Sequence, residues 1–406
     1  MEASPPVGQA RLRDSNLATV SQQIFSADEW PSRVDIAQAT GLTRATVSRL
    51  VDQLEEAGFV EKLSPVRLPQ QGRPASPIRP ASGKIAGVGL EVNVDYVAGK
   101  AVDLSGTALT EFKMSGDFAG SNPEETLAVL GDKVGALTAE LEAEGTEIAG
   151  VSLAIPGIVS SLEGDLLVAP NLGWSNLPLR RMLRENLPVA ATLPLRVDND
   201  ANAQGFFAAH VRPGKLVADP NFLYLVGDRG IGGGIVIDGV VTAGESGWAG
   251  EIGHMCVEMN GRDCFCGSRG CLEKYAGVAA LLSDAGLDPG TDTVSDLQLL
   301  LDEGDPAALL AIDQAGDALA VALAGAVNLL DVSQVILGTS LGLLLPWLEP
   351  ELSRKTSSML IGGESRPFQI SAAPHSFLPS CTGGAFLALQ RIISDPGAWM
   401  SRPGHH

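Results

Sequence analysis

Residues 250–273, GEIGHMCVEMNGRDCFCGSRGCLE, hold four of the chain's five cysteines beside a histidine. Cys264, Cys266 and Cys271 follow one another closely in CFCGSRGC. Gly267 and Gly270 permit the tight turns that gather three thiolates. His254, ten residues upstream of Cys264, supplies a nitrogen ligand. One imidazole and three thiolates form a closed tetrahedral set, the chemistry of a structural Zn²⁺, one per chain. A disulfide would need an oxidising compartment, and a redox pair more often reads Cys-x-x-Cys. Cys256 is close enough to compete with His254 for the fourth position, and that choice stays open in the sequence.

The rest of the chain bears on that reading. Its 406 residues suffice for two or three domains, with 45% apolar and 19% charged residues, ordinary for a folded soluble protein. The opening MEASPPVGQARLRDSN is polar, lacks the basic-plus-apolar pattern of a leader, and is expected to begin unstructured. The most apolar run, ALAVALAGAVNLLD (318–331), reads as too short to span a bilayer. A cytoplasmic protein without a membrane partner is therefore expected, and there clustered thiols stay reduced and bind metal.

The net charge of −20 is uneven. Residues 1–84 carry ten Lys/Arg against nine Asp/Glu, leaving 18 basic against 39 acidic residues beyond them. An acidic body repels nucleic acid, so a DNA contact must be confined to the N-terminal unit.

That unit has the elements for one. SRVDIAQATG predicts a short helix with Ile36 and Ala39 on one face and Gly41 as its stop. LTRATVSRLVDQLEEAG predicts a second, with Val47, Leu50, Val51 and Leu54 as its buried stripe and Gly58 as its end. Two helices joined across Gly41-Leu42-Thr43 outline a helix-turn-helix. FVEKL and SPVRLPQQGRPASPIRP then predict a wing hairpin leading into a linker. Arg44, Thr46, Ser48 and Arg49 lie off the buried stripe and are the candidate DNA contacts, and Arg73 in the wing loop could enter a minor groove.

From about residue 85 the pattern becomes α/β. IAGVGLEV, AGVSLAIPGIV, FLYLVGD, GGGIVI, SQVILG and FQISAAP read as strands, alternating with helical stretches such as 123–145 and 305–331.

The spacing in GEIGHMCVEMNGRDCFCGSRGCLE resembles the sugar and zinc motifs of the ROK family, which contains repressors, open reading frames and sugar kinases. The helix-turn-helix resembles its regulator branch. The resemblance implies a winged helix-turn-helix followed by a two-lobed actin-like/ribonuclease-H-like α/β body with sugar in its cleft. The boundaries would be 1–80 for the DNA-binding unit with its wing and linker, 81–200 for lobe 1 together with a C-terminal helix near 380–395, and 201–379 for lobe 2 with the zinc site. It also implies sugar contacts at Asn199 and Asp200 in LRVDNDANA, Glu251 and His254 in EIGH, Glu273 in CLE, and Asn171 at the cleft edge in APNLGW. In the family's kinases the residue matching Asp200 is the general base. His254 would serve metal and sugar with its two ring nitrogens.

The chain departs from those kinases where they hold nucleotide. Their first phosphate loop resembles Asp-x-Gly-Gly-Thr-Lys, whereas LEVNVDYVAG places Glu91 for the Asp, Asn93-Val94 for the glycines, Asp95 for Thr and Tyr96 for Lys. VGDRGIGGGIV keeps its glycines but carries Asp228-Arg229, and VILGTSL has Thr339-Ser340 for an expected glycine pair. The expectation is a sugar-responsive regulator that has lost kinase activity. It would repress carbohydrate uptake or catabolic genes as a homodimer or homotetramer on palindromic operator DNA. Its effector would be a sugar, or a sugar phosphate held by Arg229. The alternatives are a hexose or N-acetylhexosamine kinase with an appended DNA-binding domain, and an interaction protein with an inert cleft.

Overall fold

The computed structural model describes residues 7–64, 76–374 and 376–402. It opens on a helix the sequence reading did not anticipate, α1 (Val7–Ser26). Leu17, Val20, Ser21, Ile24 and Phe25 recur at helical spacing and are all buried. The polar start therefore runs into structure from Val7.

The helix-turn-helix forms as its pattern implies. α2 (Arg33–Thr40) begins at a capping box between Ser32 and Asp35 and ends at Gly41 in the left-handed conformation, φ 71°. α3 (Arg44–Glu56) is capped by Thr43, whose side chain accepts from the Thr46 amide, and buries Val47, Leu50, Val51 and Leu54. One expectation is corrected: Ile36 is buried with Ala37, while Ala39 faces solvent. The helix rests on α1 through adjacent residues, a choice that so thin an apolar stripe could not reveal. β1 (Val60–Lys62) and β2 (Ile78–Pro80) pair antiparallel as the wing. The wing loop, with Arg73, lies outside the described residues. The expected linker also needs correction, since its last residues form β2, Ala81 is buried, and the next strand starts at Ile85.

The body contains two five-stranded sheets of the same design. The first comprises β3 (Ile85–Val92), β4 (Tyr96–Asp103), β5 (Ala108–Ser115), β6 (Glu147–Ile155) and β10 (Leu195–Asn199), in the order β10-β6-β3-β4-β5. The second comprises β13 (Phe222–Gly227), β14 (Ile231–Ile237), β15 (Val240–Val241), β16 (Gln334–Gly338) and β17 (Gln369–Ala372), in the order β15-β14-β13-β16-β17. In each, three antiparallel strands are extended by two parallel ones on the far side of the first. Two sheets of that order agree with the two-lobed architecture that the family resemblance implies. Between the sheets' strands lie α4 (Pro123–Ala143), the small sheet of β7 (Ile158–Val159), β8 (Leu166–Ala169) and β9 (Trp174–Leu177), α5 (Leu179–Asn186), α6 (Asp200–Ala208) and the hairpin β11–β12 (His210–Arg212, Lys215–Leu216). The second half adds α7 (Glu273–Ala276), α8 (Val278–Asp284), α9 (Val294–Glu303), α10 (Pro306–Leu330), α11 (Thr339–Leu348) and α12 (Glu351–Met359), before α13 (Pro379–Ser394) and α14 (Pro396–Met400) close the chain.

The central strand β3 is buried along its whole length, as a strand covered on both faces must be. α13 lies directly on it, so closely that a Cβ on Gly89 would sit 1.7 Å from the Cys381 carbonyl oxygen. The run judged too short for a bilayer belongs to α10, whose 25 residues are long and apolar enough by composition to cross one. Most of that helix is instead packed against α7, α8, α11 and α12 in the core of the second half.

Candidate functional site

The site is assembled where strands end and helices begin. β10 ends at Asn199, which caps α6 by accepting from the Asn202 amide (3.1 Å) and donates through Nδ2 to the Gly157 carbonyl (3.0 Å). Asp200 is the first residue of α6 and accepts the Ala201 amide at 2.9 Å. Burial and the neighbouring Asp228 push its carboxyl up to about 6.

Opposite, the glycines of β14 lie in a strand, as GGGIVI reads in the sequence. A Cβ on Gly233 would lie 2.7 Å from the Gly250 carbonyl, and one on Gly250, φ 96°, would lie 2.1 Å from the Gly233 carbonyl. Glycine at both places lets the turn that carries Glu251 and His254 seat on the sheet. Of the other β14 glycines, Gly234 lies against the Ala201 carbonyl, where a Cβ would come within 2.8 Å.

The metal cluster fits its expectation. The ligand atoms of His254, Cys264, Cys266 and Cys271 all lie within 4.8 Å of one another. Cys264 Sγ is 3.8 Å from His254 Nδ1, and the sulfurs of Cys266 and Cys271 are 3.6 Å apart. Edges of that length suit a tetrahedron of about 2.3 Å zinc–sulfur bonds. Cys256 is exposed and stands outside the group. Glu273, nearly buried, lies 3.1 Å from Cys264 Sγ and 3.8 Å from His254 Nδ1. The other ring nitrogen of His254 is 4.0 Å from Glu251 Oε2. The imidazole thus has its two nitrogens on different neighbours, one toward the thiols and one toward the cleft carboxylate.

Asn171, Asn199, Asp200, Glu251, His254 and Glu273, which no single stretch of sequence contains, all line one cleft of 1160 Å³ between the two sheets. Trp248, Lys113 and Asp292 also line it and were not anticipated. Trp248, half exposed three residues before Glu251, was legible in principle as an aromatic beside a polar motif.

The cleft continues past Asn93–Tyr96, Asp228–Gly230 and Thr339–Ser340. Glu91 is buried behind this end and accepts from the Tyr96 hydroxyl (2.9 Å) and Asn93 Nδ2 (3.3 Å), while its Oε2 has no hydrogen-bond partner among the described residues. Burial, then the nearby Asp200, pushes its carboxyl up to about 7. Tyr96 therefore turns inward, with Lys113 Nζ 4.0 Å over its ring. Arg229 donates to Asp95 at 2.7 Å. Thr339 Oγ1 accepts the Gly227 amide at 2.9 Å, and burial raises the Asp228 carboxyl.

On the DNA-binding unit, Arg44 and Arg49 are exposed along α3, and Thr46 and Ser48 are half-buried. The Thr46 hydroxyl is 2.9 Å from that of Thr43, so it takes part in the helix cap.

Comparison with known proteins agrees with this anatomy. Residues 87–391 match the ROK family and residues 27–64 match the IclR helix-turn-helix domain. The xylose repressor of Bacillus subtilis is 29% identical over 339 residues, covering 81% of this chain and 84% of that protein. The kanosamine kinase of Amycolatopsis mediterranei is 32% identical, covering 70% of this chain and 90% of the kinase. Among solved structures, a ROK family transcriptional regulator described as a homologue of the E. coli MLC protein superposes with a TM-score of 0.77 at 21% identity, over 96% of this chain and 98% of that one, a likeness of fold. With the match extending over both sheets, the cleft and the metal cluster, this chain belongs to the ROK family.

Proposed function

We propose that this protein is a sugar-responsive DNA-binding repressor of carbohydrate uptake or catabolic genes, acting in the cytoplasm as a dimer on palindromic operator DNA. The observation that carries the reading is one chain joining an IclR-type helix-turn-helix to a cleft lined with amides, carboxylates and an imidazole. Asn199, Asp200, Glu251, His254 and Glu273 are the sugar contacts in this reading, with Asn171 at the edge. Carboxylates accept hydrogen bonds from vicinal hydroxyls, and amides both give and accept them. The full-length relatives named xylose repressor point to the same class of effector.

His254, Cys264, Cys266 and Cys271 would hold a structural Zn²⁺, which when bound ties the 254–271 loop to one shape. Glu273 stands beside both Cys264 and His254, and the second nitrogen of the imidazole faces Glu251 in the cleft. Arg44, Ser48 and Arg49 on α3 would meet the DNA, with Thr46 engaged in the helix cap and Arg73 a further candidate outside the described residues.

Phosphate chemistry is opposed at the other end of the cleft. Asp228 presents a carboxyl at that end, and Arg229, the cation that could meet a phosphate there, is already paired with Asp95. The same pairing weighs against a sugar phosphate as effector and for a neutral sugar. A kinase reading is favoured by the half-buried Asp200 with its raised pKa and by the kanosamine kinase relative.

Thermal unfolding with hexoses, pentoses, N-acetylhexosamines and their phosphates, each with and without Mg-ATP, separates these readings. A ligand at one hundred times its Kd stabilises by about 2.7 kcal/mol. The expected result is a shift with a neutral sugar that ATP does not alter and that Asp200→Asn abolishes. A further shift with ATP, and turnover lost in Asp200→Asn, would instead establish the kinase.

A further inference from the structure

The helix that starts at Asp200 ends at Ala208, and the chain then turns into the β11–β12 hairpin. Nine helical residues span about 13 Å, so the cleft and the hairpin are the two ends of one short rod. The junction is stiff: His210 Nδ1 bonds the Phe206 carbonyl at 2.8 Å and the two rings stack at 4.2 Å.

The hairpin grips the end of α1. Arg212 Nη2 donates to the carbonyls of Phe25 (3.2 Å) and Ala27 (2.6 Å), and its guanidinium lies 4.5 Å over the Trp30 ring. Lys215 Nζ donates to the Ser26 carbonyl at 2.8 Å and pairs with Asp28 at 2.6 Å. Between them, Gly214 has φ 74°, and a Cβ there would meet Phe25 Cβ at 2.8 Å. The last carbonyls of a helix lack helical partners and are best met by cations. α1 has no basic residue in its own last turn, so both cations come from residues almost two hundred positions away. α1 in turn shares one core with α2 and α3 through Leu17, Val20, Ile24 and Phe25. A displacement at the end of α1 would therefore act on the core that holds α3.

We propose that Arg212 and Lys215 are positioning residues: they clamp the DNA-binding unit to the end of the helix that carries Asp200, and so pass the state of the cleft to α3. This rests on the sugar-responsive reading for its signal, although the clamp itself does not.

The test compares the full chain with Arg212→Gln/Lys215→Gln, Lys215→Gln alone and Arg212→Lys by hydrogen–deuterium exchange. In the double variant, amides of residues 17–26 should exchange at least about tenfold faster, with β13 and α10 unchanged as folding controls. Lys215→Gln should give a smaller effect, and Arg212→Lys, which keeps the charge, should recover part of the protection. Wild-type exchange at 17–26 in the double variant would overturn the proposal. On the same proteins, affinity for a duplex selected from random DNA by the wild type is measured with and without D-xylose or D-glucose. A sugar effect of about tenfold in the wild type should fall below about threefold in the double variant at unchanged sugar affinity. An undiminished sugar effect would also overturn it. If neither sugar binds the wild type, xylose and glucose are removed as effectors, and the exchange arm still decides the clamp.

Discussion

Glu91 is sealed behind Tyr96 and Asn93, so its charge is governed by burial. Its carboxyl titrates at about 7 in the folded chain against 4.5 in the open one. Between those values the folded chain holds a proton that the unfolded chain has released, so this group's stabilisation is full below pH 4.5 and is lost as pH rises through 7. Glu91→Gln removes that dependence. Relative to wild type, the variant should gain up to about 3 kcal/mol between pH 4 and pH 8, read from urea midpoints at the two pH values, and parallel profiles would contradict the assignment. The metal cluster makes a second residue-scale prediction. Purified protein should carry one zinc per chain by elemental analysis, and Cys266→Ser, or chelation, should lower the melting midpoint by at least about 5 °C. These ligands were legible in the sequence because thiols and imidazole at tight spacing have few other uses. The partners of Glu91 were not, because Tyr96 reads equally as a cleft residue or as a lid over a carboxylate until β4 is placed.

At the scale of elements, helix α3 was readable from its stripe of Val47, Leu50, Val51 and Leu54, and its cap at Thr43 follows from the same stretch. Helix α1 was missed although Leu17, Val20, Ile24 and Phe25 carry helical spacing, because they follow a polar start and bury themselves against residues from the far end of the chain. Long-range packing of that kind leaves little local trace. β14 forms where GGGIVI reads as a strand, but the need for Gly233 and Gly250 where two backbones touch has no local trace. The exposed arginines of α3 give the prediction proper to this scale. Arg44→Ala and Arg49→Ala should each weaken operator binding. A lost phosphate contact lowers the salt slope of log affinity by about 0.9, and a lost guanine contact costs about 1–3 kcal/mol and relaxes one base position. Binding unchanged in both variants would place the DNA on another face.

For the whole molecule, two sheets of one topology form the walls of a cleft, and a third, smaller unit is packed onto them through α1, α13 and α14. The fold class and the neutral N-terminal unit on an acidic body were readable from alternation of elements and from charge. The meeting of Asn171, Asp200 and His254 in one cleft came from family resemblance, since no local pattern joins positions so far apart. The N-terminal unit shares a hydrophobic core with the body instead of hanging from a linker, and in the proposed reading that shared core is the route by which occupancy of the cleft would bear on DNA. The most direct measurement is the affinity of the full chain for its selected operator duplex at fixed salt, with and without a sugar that raises its melting midpoint. The account predicts that the sugar changes this affinity at least about fivefold in the wild type and leaves it unchanged in Asp200→Asn. A sugar that stabilises the protein yet leaves operator affinity the same would contradict it.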